Sequence, residues 1–175
     1  MPYKVFILIF SFLLNNNSLF SQKFGYVNTD FILNQMKEYQ DALSEINSIS
    51  KSWENEINGM YKLAEKKEIS LKAEKILLTE EMYNEKRKII DNEWNEIKNY
   101  QQKIFGLEGL FFLKKKELIE PIQDIIFESI ERVAKKNRLQ IVFDKSSGPV
   151  LLYTNPIHDY TDYVLEDLGL TEKNN

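Results

Sequence analysis

His158, followed at once by Asp159, is the one imidazole in the chain, and there is no cysteine. An imidazole beside a carboxylate could hold a metal or act as a general base, and any Ser-His-Asp triad would have to be built on it. Without cysteine there are no disulfides, thiolate nucleophiles, zinc–thiolate sites or iron–sulfur clusters. The G-x-x-x-x-G-K-[ST] phosphate loop and the D-x-D-x-D-G calcium pattern are also missing. Asp144-Lys145 reads as turn chemistry. The residues that could do chemistry therefore point away from an enzyme, and imply no cofactor and no metal site. What remains is binding through side chains displayed along a scaffold.

The scaffold is helical. Six Gly and four Pro in 175 residues are about half the usual share of roughly 12%. From residue 38 the apolar positions Tyr39, Leu43, Ile46, Ser50, Trp53, Ile57, Met60 and Ala64 alternate at spacings of four and three, and Leu71 continues them after a slip at Lys67. A second series runs Tyr83, Arg87, Ile90, Trp94, Ile97, Gln101 and Ile104. A 3.5-residue repeat is the pattern of a coiled-coil seam. Between the series, Ile76 to Glu81 reads as the tip of an antiparallel hairpin, with Thr79 capping the returning helix. The symmetry places Trp53 near Lys103 and Ile104, and Trp94 near Lys62. Phe105-Gly106-Leu107-Glu108-Gly109 should kink the returning arm. Helix resumes through Phe111, Leu118, Ile122, Ile126, Ile130 and Val133, with Pro121 inside it and Asn137 near its end.

Short segments flank this shaft. Residues 23–28 read as a strand, and Thr29 and Asp30 as N-caps of a short helix over 30–36. Leu139 to Phe143 and Val150 to Thr154 read as a β-hairpin across Asp144 to Pro149. A last short helix starts after Thr161 or Asp162 and stops at Gly169. At the other end, residues 1–21 have one basic residue, Lys4, then the apolar run Val5 to Leu14 and a polar stretch. That is the layout of a secretory signal peptide, cleaved near Ser21–Gln22. The fold class is α+β and predominantly helical. A long antiparallel coiled-coil hairpin (38–118) projects from a small β-sheet or barrel body (22–37 and 119–175). Three short strands leave two edges open, which several copies could close into a barrel.

A two-stranded seam leaves other apolar residues uncovered: Ile49, Tyr61, Leu63, Ile69, Ile76, Met82, Ile89 and Tyr100. They stand among 14 basic and 14 acidic side chains in residues 51–120. Such a mixed surface suits weak, many-point binding of unfolded polypeptide. Lys86-Arg87-Lys88 and Lys114-Lys115-Lys116 could make a weak contact with an anionic membrane surface. Net charge −4 and the lack of a long basic stripe argue against nucleic acid.

In their order and spacing, GYVNTDFIL (25–33), LLTEEM (77–82), FGLEG (105–109), LIEPIQDII (118–126), IVFDKSSG (141–148) and LLYTNP (151–156) resemble the Skp/OmpH family of periplasmic chaperones. The resemblance implies a homotrimer with a barrel body and three helical tentacles. These would hold unfolded outer-membrane proteins in the periplasm without ATP, during transit to the outer membrane. The balanced shaft departs from the basic members of that family, and no residue carries over as a lipopolysaccharide ligand. The competing reading is a coiled-coil tether or scaffold of the cell envelope.

Overall fold

Strand β1 (Phe24–Val27) and strand β2 (Ile141–Asp144) pair in parallel, Phe24 opposite Ile141 and Val27 opposite Asp144. Gln140 N–H donates to the Lys23 carbonyl and Lys145 N–H to that of Val27, extending the ladder at both ends. On the far side of β1, Tyr160 N–H donates to the Tyr26 carbonyl at 2.9 Å. Parallel neighbours need a long crossover, and here the crossover is residues 28–140, which hold the long helices. The computed structural model describes residues 23–148 and 151–171. The signal-peptide reading of residues 1–21 lies outside them.

Helix α1 (Thr29–Gln35) is capped by Asn28, whose side chain accepts from Phe31 N–H. Thr29 and Asp30, expected as caps, are the first two helical residues instead. The Thr29 hydroxyl has another partner, Asp144. Helix α2 (Lys37–Glu74) has 38 residues, a length of about 57 Å at ~1.5 Å per residue. A 3₁₀ turn (Lys75–Leu77) leads to helix α3 (Glu80–Phe105), where Thr79 accepts from Met82 N–H as the N-cap.

The two long helices run in opposite directions. Tyr61 bonds to Gln101, Lys67 to Glu93 and Lys86 to Glu74, so one numbering rises as the other falls. The expected seam is largely the buried stripe: Ile46, Ile57, Ala64 and Leu71 on α2, and Ile90, Ile97 and Ile104 on α3. Trp53 meets Phe105 edge-on at 6.3 Å, and Trp94 meets Tyr61 at 5.7 Å, each within a residue or so of its expected partner.

At FGLEG the chain does more than kink. Helix α3 ends at Phe105, and helix α4 (Leu110–Asn137) starts afresh. A Cβ on Gly106 would lie 2.3 Å from the Gln102 carbonyl oxygen, and one on Gly109 2.5 Å from that of Ile104. The glycines are needed for close backbone approach. The left-handed residue at the break is Glu108, with φ 55°. Helix α4 continues through Pro121, across the expected body boundary at 118–119, and ends at Asn137.

Arg138 then adopts φ 57° and ψ 38°, its N–H bonding to the Lys135 carbonyl while Leu139 N–H bonds to that of Ala134. That pair of bonds is a Schellman motif. The same motif ends helix α5 (Thr161–Asp167), where Gly169 takes φ 71° as expected for a stop residue. Glycine adopts this conformation without the Cβ penalty that Arg138 carries. Arg138→Gly is therefore expected to raise stability by about 1 kcal/mol, read as a higher urea midpoint with an unchanged slope.

The expected β-hairpin is not formed. Leu151 to Thr154 has no strand structure, and Val150 lies outside the described residues. One edge of β1 is taken by β2 and the other by the Asp159–Tyr160 segment. The first run pairs with a strand more than a hundred residues away rather than with its neighbour. The body core gathers Val27, Ile32, Leu33, Ala42, Ile122, Ile126, Val133 and Val164. A separate shaft core centres on Ile57, Ala64 and Ile97.

Candidate functional site

Three polar clusters fix how the elements sit. The first surrounds Asp144. Its Oδ2 accepts from the Thr29 and Ser147 hydroxyls, and its Oδ1 from Thr29 N–H, Ser146 N–H and the Ser146 hydroxyl. Burial pushes the carboxyl up, but these donors outweigh it and bring the pKa from 3.8 down to about 2. The cluster ties the end of β2 to the start of α1, and Asp144 is turn chemistry as its sequence context suggests. Asp144→Ala should cost about 1–3 kcal/mol at neutral pH, because the hydroxyls and amides lose their acceptor. A lowered pKa gives stability that is present above pH 3.8 and lost as pH falls through about 2. The difference between wild type and variant should therefore shrink in urea titrations taken from neutral pH towards pH 2.

The second cluster locks α5 onto α4. The Ser129 side chain is fully buried and donates to Asp167 Oδ2 at 2.8 Å, beside Arg132 Nη2 at 2.8 Å. The Arg132 guanidinium and the Ser129 hydroxyl hold the Asp167 carboxyl below the usual range. Sequence reading missed this site. Its signal was present, since Ser129 stands on the stripe of Ile122, Ile126 and Val133, where a hydroxyl needs a partner. The third cluster is Glu68, which accepts from Arg87 at 3.2 Å and pairs with Lys72 at 3.1 Å. Those two cations hold its carboxyl below the ordinary value, Lys72 foremost.

None of these clusters resembles a reaction centre. His158 stacks on Phe24, ring centres 4.8 Å apart, with no gathering of three potential ligands among the described residues. Among the same residues, no helix is long and apolar enough to cross a membrane.

The eight side chains read as uncovered divide into three groups. Leu63, Ile69, Met82 and Ile89 are exposed by about half or more, and Ile76 at the tip by 90%. Ile49 is half-buried. Tyr61 and Tyr100 are not free surface. Both rings pack against the shaft core, Tyr61 donates to Gln101 at 2.8 Å, and Tyr100 donates to Glu56 at 3.0 Å. The Glu56 carboxylate raises the Tyr100 phenol above its usual pKa. A long aromatic ring one position off the stripe bends over the seam, while its hydroxyl reaches the opposite helix.

Sequence reading also left out several exposed apolar side chains: Leu77 beside the tip, Leu107 at the helix break, and Phe112 and Leu113 after it. The basic runs are less available than their sequence implies. Lys86 pairs with Glu74, Arg87 with Glu68 and Asp91, Lys114 with Glu117, and Lys116 with Glu120.

The matches to known proteins agree with this arrangement. The family model for outer membrane protein (OmpH-like) matches residues 23–168. No curated protein matches the chain in sequence. A crystal structure from Caulobacter crescentus CB15, described as a candidate outer membrane chaperone (OmpH-like), superposes with a TM-score of 0.68 at 12% identity. The match covers 86% of this chain and 84% of that one, so the two share a fold. With its family model spanning both strands and every helix up to α5, this chain belongs to the OmpH-like family.

Proposed function

We propose that this protein is an ATP-independent holdase chaperone of the periplasm. It is exported by residues 1–21 and keeps unfolded outer-membrane proteins soluble on their way to the outer membrane. The observation that carries the reading is the shaft of α2 and α3. Its apolar side chains that do not pack on the seam, Leu63, Ile69, Ile76, Met82 and Ile89, stand in water among charges of both signs. Family membership supports the same reading.

The body is proposed to assemble with two further copies into a barrel, from which three coiled-coil tentacles project. Among the described residues β2 pairs only with β1, which leaves its other edge without a strand partner there, and Ile141 and Phe143 of the same strand are exposed. An unpaired strand edge is a template for another strand. Small bodies without disulfides commonly gain stability from assembly.

The test uses the chain from Gln22 onward. Its mass in solution should be three times that of the monomer. A urea-unfolded outer-membrane β-barrel protein diluted into it should stay in the supernatant without nucleotide. A monomer in whose presence the client aggregates at the rate seen in buffer would refute the proposal.

A further inference from the structure

Two ion pairs cross from α2 to α3 on one face of the shaft, Lys67 with Glu93 and Lys86 with Glu74. On each helix the two partners stand two turns apart, so the pairs are separated by about 10 Å along the shaft. Midway between them on α2 is Ser70, the smallest side chain on that face. Its size leaves a groove of about 420 Å³ whose lining includes the buried side chains of Leu71 and Ile90. Leu63 and Ile89, exposed by 60% and 53%, also line it.

We propose that this groove is a docking subsite for an uncharged, apolar stretch of unfolded polypeptide, bound extended across the shaft between the two ion pairs. The inference rests on the holdase reading and assigns it a place. Charge selects the occupant. Lys67 and Lys86 are already paired with the two glutamates that line the groove, and Lys66 is its other cation. A phosphate or carboxylate would meet both glutamates, and two of the three lysines are already paired with them. Shape selects the conformation. A helix lying along the groove would run over the charged pairs at both ends. An extended strand, about 5 Å wide, passes between them and turns every second side chain towards Leu71 and Ile90. Strands destined for a β-barrel alternate in that way.

The subsite can be closed without harming the shaft. Ser70→Leu fills the hollow, and leucine is the better helix former. The variant should keep its helicity and its mass in solution. Its apparent Kd for a urea-unfolded outer-membrane β-barrel should weaken about tenfold, as for the loss of one partly buried apolar side chain. Lys98→Leu, exposed on α3 away from the groove, should stay within about twofold of wild type.

If Ser70→Leu retains the client as wild type does, the subsite is refuted and the holdase reading stands. If wild type itself leaves the client to aggregate, both fall. A change in oligomeric mass on Ser70→Leu would make the groove a contact between copies. Binding of phosphatidylglycerol vesicles by wild type and not by Ser70→Leu would make it a lipid site. Either outcome overturns the proposal.

Discussion

Changing Leu63, Ile76, Met82 and Ile89 together to Ser is expected to abolish most client retention while leaving the fold nearly as stable as before. All four are between 48% and 90% exposed, so little of their apolar area is buried in the free protein. Serine is a slightly poorer helix former than leucine, isoleucine or methionine, a penalty of up to about 0.5 kcal/mol per site. What the substitution removes is the apolar area offered to a partner. Each side chain buried on binding is worth up to about 1.5–3 kcal/mol, so losing four should weaken apparent affinity by well over tenfold.

The measurements are light scattering of a urea-unfolded β-barrel protein, and helicity followed through a thermal ramp. Tyr61→Ser should behave in the opposite way. It loses the Trp94 ring contact and the bond to Gln101, and should cost about 2 kcal/mol of stability. If the quadruple variant melts early, or if it retains client as wild type does, the exposed side chains are not the binding surface.

The difference between those two variants marks where the sequence could be read and where it could not. A helix places side chains by local periodicity. The four-three spacing therefore identified Ile57, Ala64, Ile90 and Ile97 as seam and paired the two tryptophans with their neighbours across the shaft. The same periodicity treats a residue as one point on a circle. It has no information on how far a ring reaches, so Tyr61 and Tyr100 were read as surface although their rings cover the seam.

The expected strand pairing failed for a non-local reason, although two of the three runs do form strands. Leu139 to Phe143 is β-leaning, and a turn follows it, which locally favours a hairpin. Strand β2 instead lies beside β1, and no local signal names a partner so distant in the chain. Asn28 took the cap expected of Thr29 because the Thr29 hydroxyl and amide are claimed by Asp144, far away in sequence. The OmpH-like resemblance supplied the family, which periodicity alone would not have named.

Ile126→Ala should be the most destabilising single truncation in the body. The side chain is 1% exposed and lies at the middle of α4, in a core shared with α1, α5, β1 and the start of α2. Removing three buried carbons from a packed core costs about 2–5 kcal/mol, the higher value where neighbours cannot close the cavity. Here they are held from several directions. Ser129 and Arg132 on the same helix anchor α5 through Asp167, and Asp144 anchors α1 to β2. Rigid anchoring opposes collapse and puts the expected cost in the upper half of that range.

Stabilities of ordinary domains are about 5–15 kcal/mol, so this one change should remove a large part of the total. It also separates two sources of stability. If the body is stable only as an assembly, the thermal midpoint of Ile126→Ala will rise with protein concentration, because association adds to the folded side by mass action. If the body is stable alone, the midpoint will fall by several degrees and stay independent of concentration. The shaft core around Ile57 and Ile97 is separate from the body core. Hydrogen exchange in α3 should therefore change far less than in α4 and α5, whichever of the two holds.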